Sequence, residues 1–341
     1  MALSVEIVDP RVDPAPAGWA EFARRQELHP FWDHEMMRVE GWMSRNPPLL
    51  AVLREGAGVV GALSVLVCRT WRMGEFSPSP GERTRSVRPR WAEVFVPLFS
   101  GHQACVFTAS LDQPARTAAV RAFERALLAY LGPGLLGVLY RAMTADLVPA
   151  MVGKGRPHKV IDPFAVLTDP AAVPAPPPPG LEVRTGFGRD DLDPVELTTL
   201  LNGQRAADDA LAWAGGQPRR FGGVVHVDTR TPVTSAYLDR LVRRGDVHTM
   251  TYHAADGSLV AFNTLIDHPT RADMYHWAAA PDRADAGALY ADCCARRAQY
   301  ASAHGRRELS AGRGLLDVKQ GLGFGTRELH TVAAPRPLLG R

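Results

Sequence analysis

The sequence predicts an α/β protein of two tandem domains, each with a mixed, mainly antiparallel sheet flanked by helices. A proline-rich run, Pro174 to Gly180, favours an extended linker, because proline fits neither a helix interior nor a sheet interior. The run divides the 341 residues into two segments of ordinary domain size. We therefore expect domains at 1–169 and 181–341, joined by a linker at 170–180.

Both segments repeat the order helix, hairpin, strand, helix, strand, which indicates related domains. In the first segment the apolar spacing predicts these elements at 31–43, 48–67, 91–99 with 104–108, and 116–131. In the second segment it predicts helices at 194–211 and 234–244, a hairpin at 247–267, a strand at 272–278 and a helix at 287–304. The dipeptide Asp256-Gly257 is a strong signal for the turn of that hairpin.

The composition is that of a globular protein, with 46% hydrophobic and 22% charged residues. The four cysteines form no C-x-x-C pair, which favours neither a disulfide framework nor a zinc knuckle. His29 and His34 are interrupted by Pro30, and their spacing suits no common zinc site. No secretory signal or membrane-spanning stretch is apparent, so we expect a cytoplasmic protein with no membrane partner.

The formal charge of +3 does not by itself predict nucleic-acid binding. Local basic clusters nevertheless occur at Arg83–Arg90 and Lys154–Lys159. Such runs are usually solvated loops, but arginine suits phosphate groups well. These two stretches are therefore the candidate phosphate-binding surfaces.

The chain from Tyr275 to Val332 runs strand, helix, strand, Gly-Arg-Gly, helix, strand. The segment Ser310-Ala-Gly-Arg-Gly314 follows a strand, and the next helix ends in Lys319-x-x-x-Gly323-Phe324. This order resembles the C-terminal half of a GNAT-type acyltransferase domain. It looks most like the tandem-domain branch that includes the Fem-type aminoacyl-tRNA-dependent transferases. The resemblance rests on motifs near the C-terminus and on architecture elsewhere, and it implies two tandem GNAT-like domains.

The resemblance implies an N-acyltransferase that joins an aminoacyl group from aminoacyl-tRNA to a small-molecule amine, in cell-wall or specialised-metabolite (antibiotic) biosynthesis. It implies no metal or redox cofactor. GNAT enzymes hold coenzyme A with a loop of pattern Q/R-x-x-G-x-G/A. Here Arg283 and Ala288 fit the ends of that pattern, whereas Ala286 replaces its first glycine and Asp285 adds negative charge. We therefore expect weak coenzyme A binding.

The candidate donor-binding residues surround this loop and the Gly-Arg-Gly segment. Glycine lets a backbone approach a ligand, and a cationic side chain can meet phosphate or carboxylate. The ordinary alternative for Lys319 is a favourable position at a helix C-terminus. The set comprises Arg283, Gly287, Gly312, Arg313, Gly314 and Lys319.

The strand at 272–278 carries the candidate catalytic residues. Strict alternation would place Asp273, Tyr275 and Trp277 on one face and His276 on the other. His276 is a candidate general base, with an unperturbed pKa near ~6.5. Tyr275 is a candidate proton donor to the leaving group, and Asp273 a candidate to orient the amine. A core histidine and a surface aspartate are the ordinary alternatives.

Trp277 and the pair Asp208-Asp209 are the candidate acceptor-binding residues, because a carboxylate pair can hold a cationic amine. The ordinary alternative for the pair is a solvated helix surface. Two other functions remain open: an acyl-CoA-dependent N-acyltransferase with acyl-CoA as co-substrate, and a non-catalytic tandem scaffold that binds RNA or protein. The sequence leaves open the acyl group, the acceptor, the oligomeric state and whether the N-terminal domain is catalytic.

Overall fold

The computed structural model describes residues 3–44, 46–69, 87–96, 103–171, 178–214, 233–281 and 283–341. These residues divide into two units. Unit 1 holds the described residues up to Pro163 together with Glu328–Arg341, and unit 2 holds those from Phe164 to Arg327. Within each unit a mixed sheet carries helices, which confirms the predicted fold class.

Unit 1 is built on a sheet in the order β1-β2-β3-β4-β6-β13, with β5 paired to β3. The pairs β1–β2, β2–β3, β3–β4 and β6–β13 are antiparallel, whereas β4–β6 is parallel. The elements are β1 (Leu3–Val8), α1 (Trp19–Arg25), α2 (His34–Met43), β2 (Pro48–Glu55), β3 (Gly58–Arg69), β4 (Arg90–Val94), β5 (Cys105–Phe107), α3 (Gln113–Leu131), β6 (Leu135–Met143), α4 (Val148–Met151), β7 (His158–Thr168) and β13 (Gly325–Pro335).

Unit 2 is built on a sheet in the order β8-β9-β10-β11-β12-β7. Its pairs are antiparallel except for β11–β12, which is parallel. The remaining elements are β8 (Glu182–Phe187), α5 (Pro194–Ala214), α6 (Ser235–Val242), β9 (Val247–His253), β10 (Leu259–Asp267), β11 (Arg271–Ala279), α7 (Ala286–Ala303), β12 (Glu308–Gly312) and α8 (Leu316–Gly321).

The boundary between the units differs from the predicted boundaries at 169 and 181. The division passes through β7 and β13, so Phe164–Thr168 belongs to unit 2 and Glu328–Arg341 to unit 1. The reason lies in strand pairing. Residues Val332–Pro335 of β13 pair with β6, and Ala165–Thr168 of β7 pair with β12. The middle of the predicted linker, 172–177, lies outside the described residues.

Local signals explain the elements that position the site. The hairpin β9–β10 turns at Asp256-Gly257, as predicted, because Gly257 adopts φ +85° and the Asp256 carboxylate accepts hydrogen bonds from Ser258. Helix α7 packs Leu289, Cys293 and neighbouring residues into the core of unit 2. All four cysteines are buried free thiols. Among the described helices, none is long and apolar enough to cross a membrane.

Candidate active site in unit 2

The parallel strands β11 and β12 separate part-way along their length. Their paired register runs from Arg271 opposite Glu308 to Asp273 opposite Ser310, and β11 then continues to Ala279. Beyond Asp273 the edge of β11 is therefore not paired with β12. Backbone amide and carbonyl groups along such an edge are available to a ligand that enters between the strands. This separation defines the candidate site.

A β-bulge at Tyr275 and His276 shapes that edge. The register with β10 shifts from Asn263 opposite Trp277 to Leu265 opposite Met274, so two residues of β11 face the single residue Thr264. The predicted strict alternation is therefore wrong. Tyr275 and His276 both lie next to Tyr237 of α6.

Met274 and Trp277 lie on the other face of β11, against the core under α7. Met274 belongs to the buried core cluster, and Trp277 packs against it with its ring 5.4 Å from that of Tyr290. Trp277 was predicted to bind the acceptor. The bulge instead places it on the face opposite Tyr275.

The backbone of His276 is held by two side chains of β10. The Asn263 amide donates to the His276 carbonyl at 2.8 Å, and the His276 amide donates to the Thr264 hydroxyl at 3.1 Å. The bulge removes the usual ladder partners, and these side chains replace them. They fix the main chain at the point where the two strands separate.

The imidazole of His276 is buried, with 4% of its surface exposed. Its Nε2 atom has no hydrogen-bond partner within the described part of the chain. Burial, and secondarily the nearby charge of Arg205, lower the pKa of His276 well below its ordinary value. The ring is therefore neutral at physiological pH, and its free nitrogen can accept a proton only weakly.

Two tyrosines form a hydroxyl pair beside this ring. The Tyr275 and Tyr237 oxygens are 2.6 Å apart, and the Tyr275 ring lies 4.1 Å from that of His276. No sequence motif marks Tyr237, which lies in the helix predicted at 234–244. Asp273 is buried, with the Arg271 guanidinium 3.3 Å away, so it is not a surface residue. Three predicted catalytic residues thus lie within four positions of one strand.

The Gly-Arg-Gly segment forms the turn at the end of β12. Gly312 adopts φ +69°, a conformation that favours glycine. The Lys319 ammonium lies under the turn and donates to the carbonyls of Ala311 and Gly312. Burial lowers the pKa of Lys319 to about 8. Lys319 therefore supports the turn, while Arg313 is half-buried and Gly314 exposed.

The N-terminus of α7 follows β11 closely, as the resemblance implies for a diphosphate loop. Asp285 occupies the N-cap position, and its carboxylate accepts two hydrogen bonds from Arg283, at 2.7 and 2.5 Å. Those hydrogen bonds hold the pKa of Asp285 below its usual value. Apart from its own helix backbone and chain neighbours, a Cβ atom on Gly287 would meet no atom of the described residues within 4 Å. The helix N-terminus therefore has room for a ligand, but the Asp285 carboxylate occupies its first position.

The structure corrects two parts of the predicted phosphate-binding surfaces. Arg90 is buried and donates to the Leu131 carbonyl at 2.7 Å. Arg156 is buried and pairs with Glu124 at 2.6 Å. Both guanidiniums serve the interior of unit 1, because a buried charge needs partners there. Lys154 and Lys159 are exposed.

Several predicted residues fall outside the description. Arg83 and Arg85 lie outside the described residues, and so do the side chains of Asp208 and Asp209, whose backbone lies in α5.

Strand order, the parallel pair and its separation together define a protein with the tandem GNAT-like fold. A solved structure of the C-terminal DUF2156 domain of a proposed lysylphosphatidylglycerol synthetase from Agrobacterium fabrum is similar, with a TM-score of 0.53 and 12% identity over 89% of this chain and 87% of that one. The structure of FemX is similar too, with a TM-score of 0.53 and 11% identity over 93% and 96% of the two chains.

A tandem GNAT protein from the clavulanic acid biosynthesis pathway aligns at a TM-score of 0.48 and 15% identity, over 97% and 98% of the chains. At the level of sequence, no family model and no curated protein matches the chain. The likeness to the Agrobacterium fabrum domain and to FemX confirms the predicted resemblance as a likeness of fold.

Proposed function

We propose that this protein is an N-acyltransferase that uses the separated strands of unit 2 as its active site. The acyl group is an aminoacyl group, the donor is aminoacyl-tRNA, and the acceptor is a small-molecule amine. The observation that supports this most is the bulged edge of β11, where Tyr275 and His276 lie beyond Asp273, the last residue that pairs with β12. The fold shared with FemX and with the lysylphosphatidylglycerol synthetase domain also supports it.

In this proposal the donor's ester carbonyl lies between β11 and β12, and the amine nitrogen attacks its carbon. Main-chain amides of β11 beyond Asp273 stabilise the negative charge on the carbonyl oxygen. The carbon–oxygen bond to the terminal ribose then breaks, and the proton lost by the amine ends on the ribose hydroxyl. This proton transfer needs a neutral base and a hydroxyl that donates a proton. His276 is the proposed base, and Tyr275 is the proposed proton donor.

The hydroxyl pair gives this site a proton donor for the leaving group. Tyr237, 2.6 Å from Tyr275, can replace the proton that Tyr275 donates. Asp273, buried at the point where the strands separate, is the proposed orienting group for the attacking amine. His276 is a weak base because burial lowers its pKa, so the amine must reach the site uncharged.

The donor is assigned to tRNA because the start of α7 is poorly suited to a diphosphate. A helix N-terminus attracts anions, but here the Asp285 carboxylate occupies that position and engages Arg283, the cation predicted to bind the donor. Gly287, Gly312, Arg313 and Gly314 remain the proposed donor contacts. No cofactor is proposed. One observation favours the acyl-CoA alternative, namely the open space at Gly287 in the first turn of α7.

Native mass spectrometry of the full chain tests the donor. The protein as purified is measured alone, with coenzyme A esters, and with total charged tRNA. We expect a complex with tRNA and none with acetyl-CoA. A stable coenzyme A complex would put the acyl-CoA alternative first. Binding of tRNA without amide formation from any amine tested would favour the non-catalytic scaffold.

A further inference from the structure

Helix α7 carries a fully buried arginine that faces the sheet. Arg297 has 1% of its surface exposed. Its Nε donates to the Asn263 side-chain oxygen at 2.6 Å, and its Nη2 donates to the Asn263 main-chain carbonyl at 2.9 Å. Burying a guanidinium costs free energy unless its N–H groups are hydrogen-bonded. The position of Arg297 therefore fixes the orientation of the groups that accept from it.

The other side of the guanidinium is held by His248 of β9. Nη1 lies 2.6 Å from His248 Nδ1, and Nη2 donates to the His248 carbonyl at 3.1 Å. Burial and the charge of Arg297 lower the pKa of His248 to about 4. His248 is therefore neutral near pH 7, and its ring nitrogen can accept the hydrogen bond from Arg297.

The arginine determines which way the Asn263 amide points. Because Arg297 donates to the amide oxygen, the amide nitrogen must point the other way, toward the His276 carbonyl at 2.8 Å. A flipped amide would place its NH2 group against the guanidinium and its oxygen against a carbonyl. The donor on one side and the acceptor on the other therefore fix the orientation of the Asn263 amide.

We propose that Arg297 and Asn263 are positioning residues that hold the bulge of β11 in the geometry for acyl transfer. They touch no reacting atom; Asn263 acts through the His276 carbonyl, and Arg297 acts through Asn263. The Thr264 hydroxyl adds a second contact, because it accepts a hydrogen bond from the His276 amide. The proposal rests on the proposed function, because it assigns this buried chain of hydrogen bonds to the same site.

The variant Asn263→Asp tests the proposal sharply. An aspartate keeps the shape of asparagine and keeps an acceptor for Arg297, whose charge holds it ionised. It replaces the donor to the His276 carbonyl with a carboxylate oxygen, which repels that carbonyl. We expect a folded protein whose kcat for amide formation falls about 10- to 100-fold while KM changes about 2-fold or less, because small displacements of reacting groups cost rates of that order.

Thr264→Val is a second, independent variant, since it removes the acceptor of the His276 amide with little change in volume. It should lower kcat in the same direction. Tyr140→Phe is the matched control: it removes a buried hydrogen bond to Glu124 in unit 1. The control should lower thermal stability and leave kcat unchanged.

Hydrogen–deuterium exchange gives a readout that does not need turnover. The segment 272–279 should exchange faster in Asn263→Asp and Thr264→Val than in the wild type, and Tyr140→Phe should leave it unchanged. Wild-type kcat in both variants, with unchanged exchange of this segment, would overturn the proposal. If the wild type forms no amide from any donor, the proposed function fails, and exchange still decides whether the two side chains hold the bulge.

Discussion

Each unit has a buried charge at the equivalent position of an equivalent helix, and the two charges have opposite sign. Glu124 lies twelve residues after Asp112, the N-cap of α3, and Arg297 lies twelve residues after Asp285, the N-cap of α7. Each helix follows the central strands of its unit and precedes the strand that pairs in parallel. The two units use this equivalent helix position in different ways.

Unit 1 uses its buried charge to close the scaffold. The Glu124 carboxylate accepts hydrogen bonds from Tyr140, Arg156 and the Gly340 main chain, at 2.6 to 2.8 Å. These contacts join α3 to β6, to the loop before β7 and to the C-terminus. Strand β4 pairs with β6 up to its last residue, Val94. Within the described residues 90–94, β4 therefore does not separate from β6.

Unit 2 uses its buried charge to shape an opening. Arg297 reaches Asn263 and, through it, the bulge of β11, while β11 leaves β12 after Asp273. The same helix position thus supports a closed pair of strands in one unit and a separated pair in the other. This difference is our reason for proposing that unit 2 carries the active site and that unit 1 has a structural role.

The largest effect should follow from removing the carboxylate of Glu124. Glu124→Ala leaves Arg156 buried without its partner, so the free energy of unfolding should fall by about 3–5 kcal/mol. Chemical denaturation of the purified variant measures it. Glu21→Ala, which breaks an exposed pair with Arg24, is the control and should cost less than about 1 kcal/mol. Equal costs for the two variants would show that the buried cluster does not hold unit 1 together.

Glu40 should make unit 1 less stable as pH rises. Burial raises the pKa of Glu40 to about 8 in the folded protein, above its ordinary value of 4.5. The unfolded chain loses the proton above the lower value, so stability is full at low pH and is lost between the two pKa values. Glu40→Gln should therefore stabilise the protein on the order of 3 kcal/mol at pH 7 and much less at pH 5.

In unit 2, His248 should give stability the opposite dependence on pH. The pKa of His248 is lowered to about 4 in the folded protein, so the unfolded chain binds a proton first as pH falls below 6.5. The stabilisation linked to His248 is therefore present at neutral pH and is lost as the pH falls from 6.5 to about 4. Denaturation curves from pH 5 to 8 separate the two effects. A Glu40→Gln variant with the pH dependence of the wild type would contradict the assignment to Glu40.

The smallest effect concerns tRNA. Lys154→Glu with Lys159→Glu should raise KM for charged tRNA and flatten its salt dependence by about 0.7 to 0.9 in slope per lost phosphate contact. Turnover of a minimal aminoacyl ester should stay unchanged, because that donor has no phosphates. Exposed Glu35→Gln and Arg38→Gln serve as surface controls. Equal losses with both donors would indicate damage to the fold.

The order of elements was predictable because each carries a local signal, such as the turn at Asp256-Gly257. The bulge was not, because it depends on how Tyr275 and His276 meet Thr264 across two strands. Arg297 was missed although a signal existed: with Leu289 and Cys293 it repeats every four residues on the apolar face of α7. A charge inside such a stripe predicts a buried, partnered side chain.

Buried arginines also misled the prediction of phosphate-binding surfaces. Arg90 and Arg156 lie in basic stretches, and sequence alone gives no sign that their partners are the Leu131 carbonyl and Glu124. Those partners are distant in sequence and meet only in the folded unit. Tyr237 was missed for the same reason, since its partner Tyr275 lies on another element.

Single-turnover amide formation from charged tRNA tests most directly whether the active site lies in unit 2. The variants are Tyr275→Phe and His276→Ala, with Glu93→Gln on the equivalent strand β4 of unit 1 as the matched control. General acid–base groups contribute at least about 100-fold, so each unit 2 variant should slow the step by about that factor while remaining folded. Glu93→Gln should react at the wild-type rate. Full activity of both unit 2 variants, or loss of activity in Glu93→Gln alone, would contradict the account.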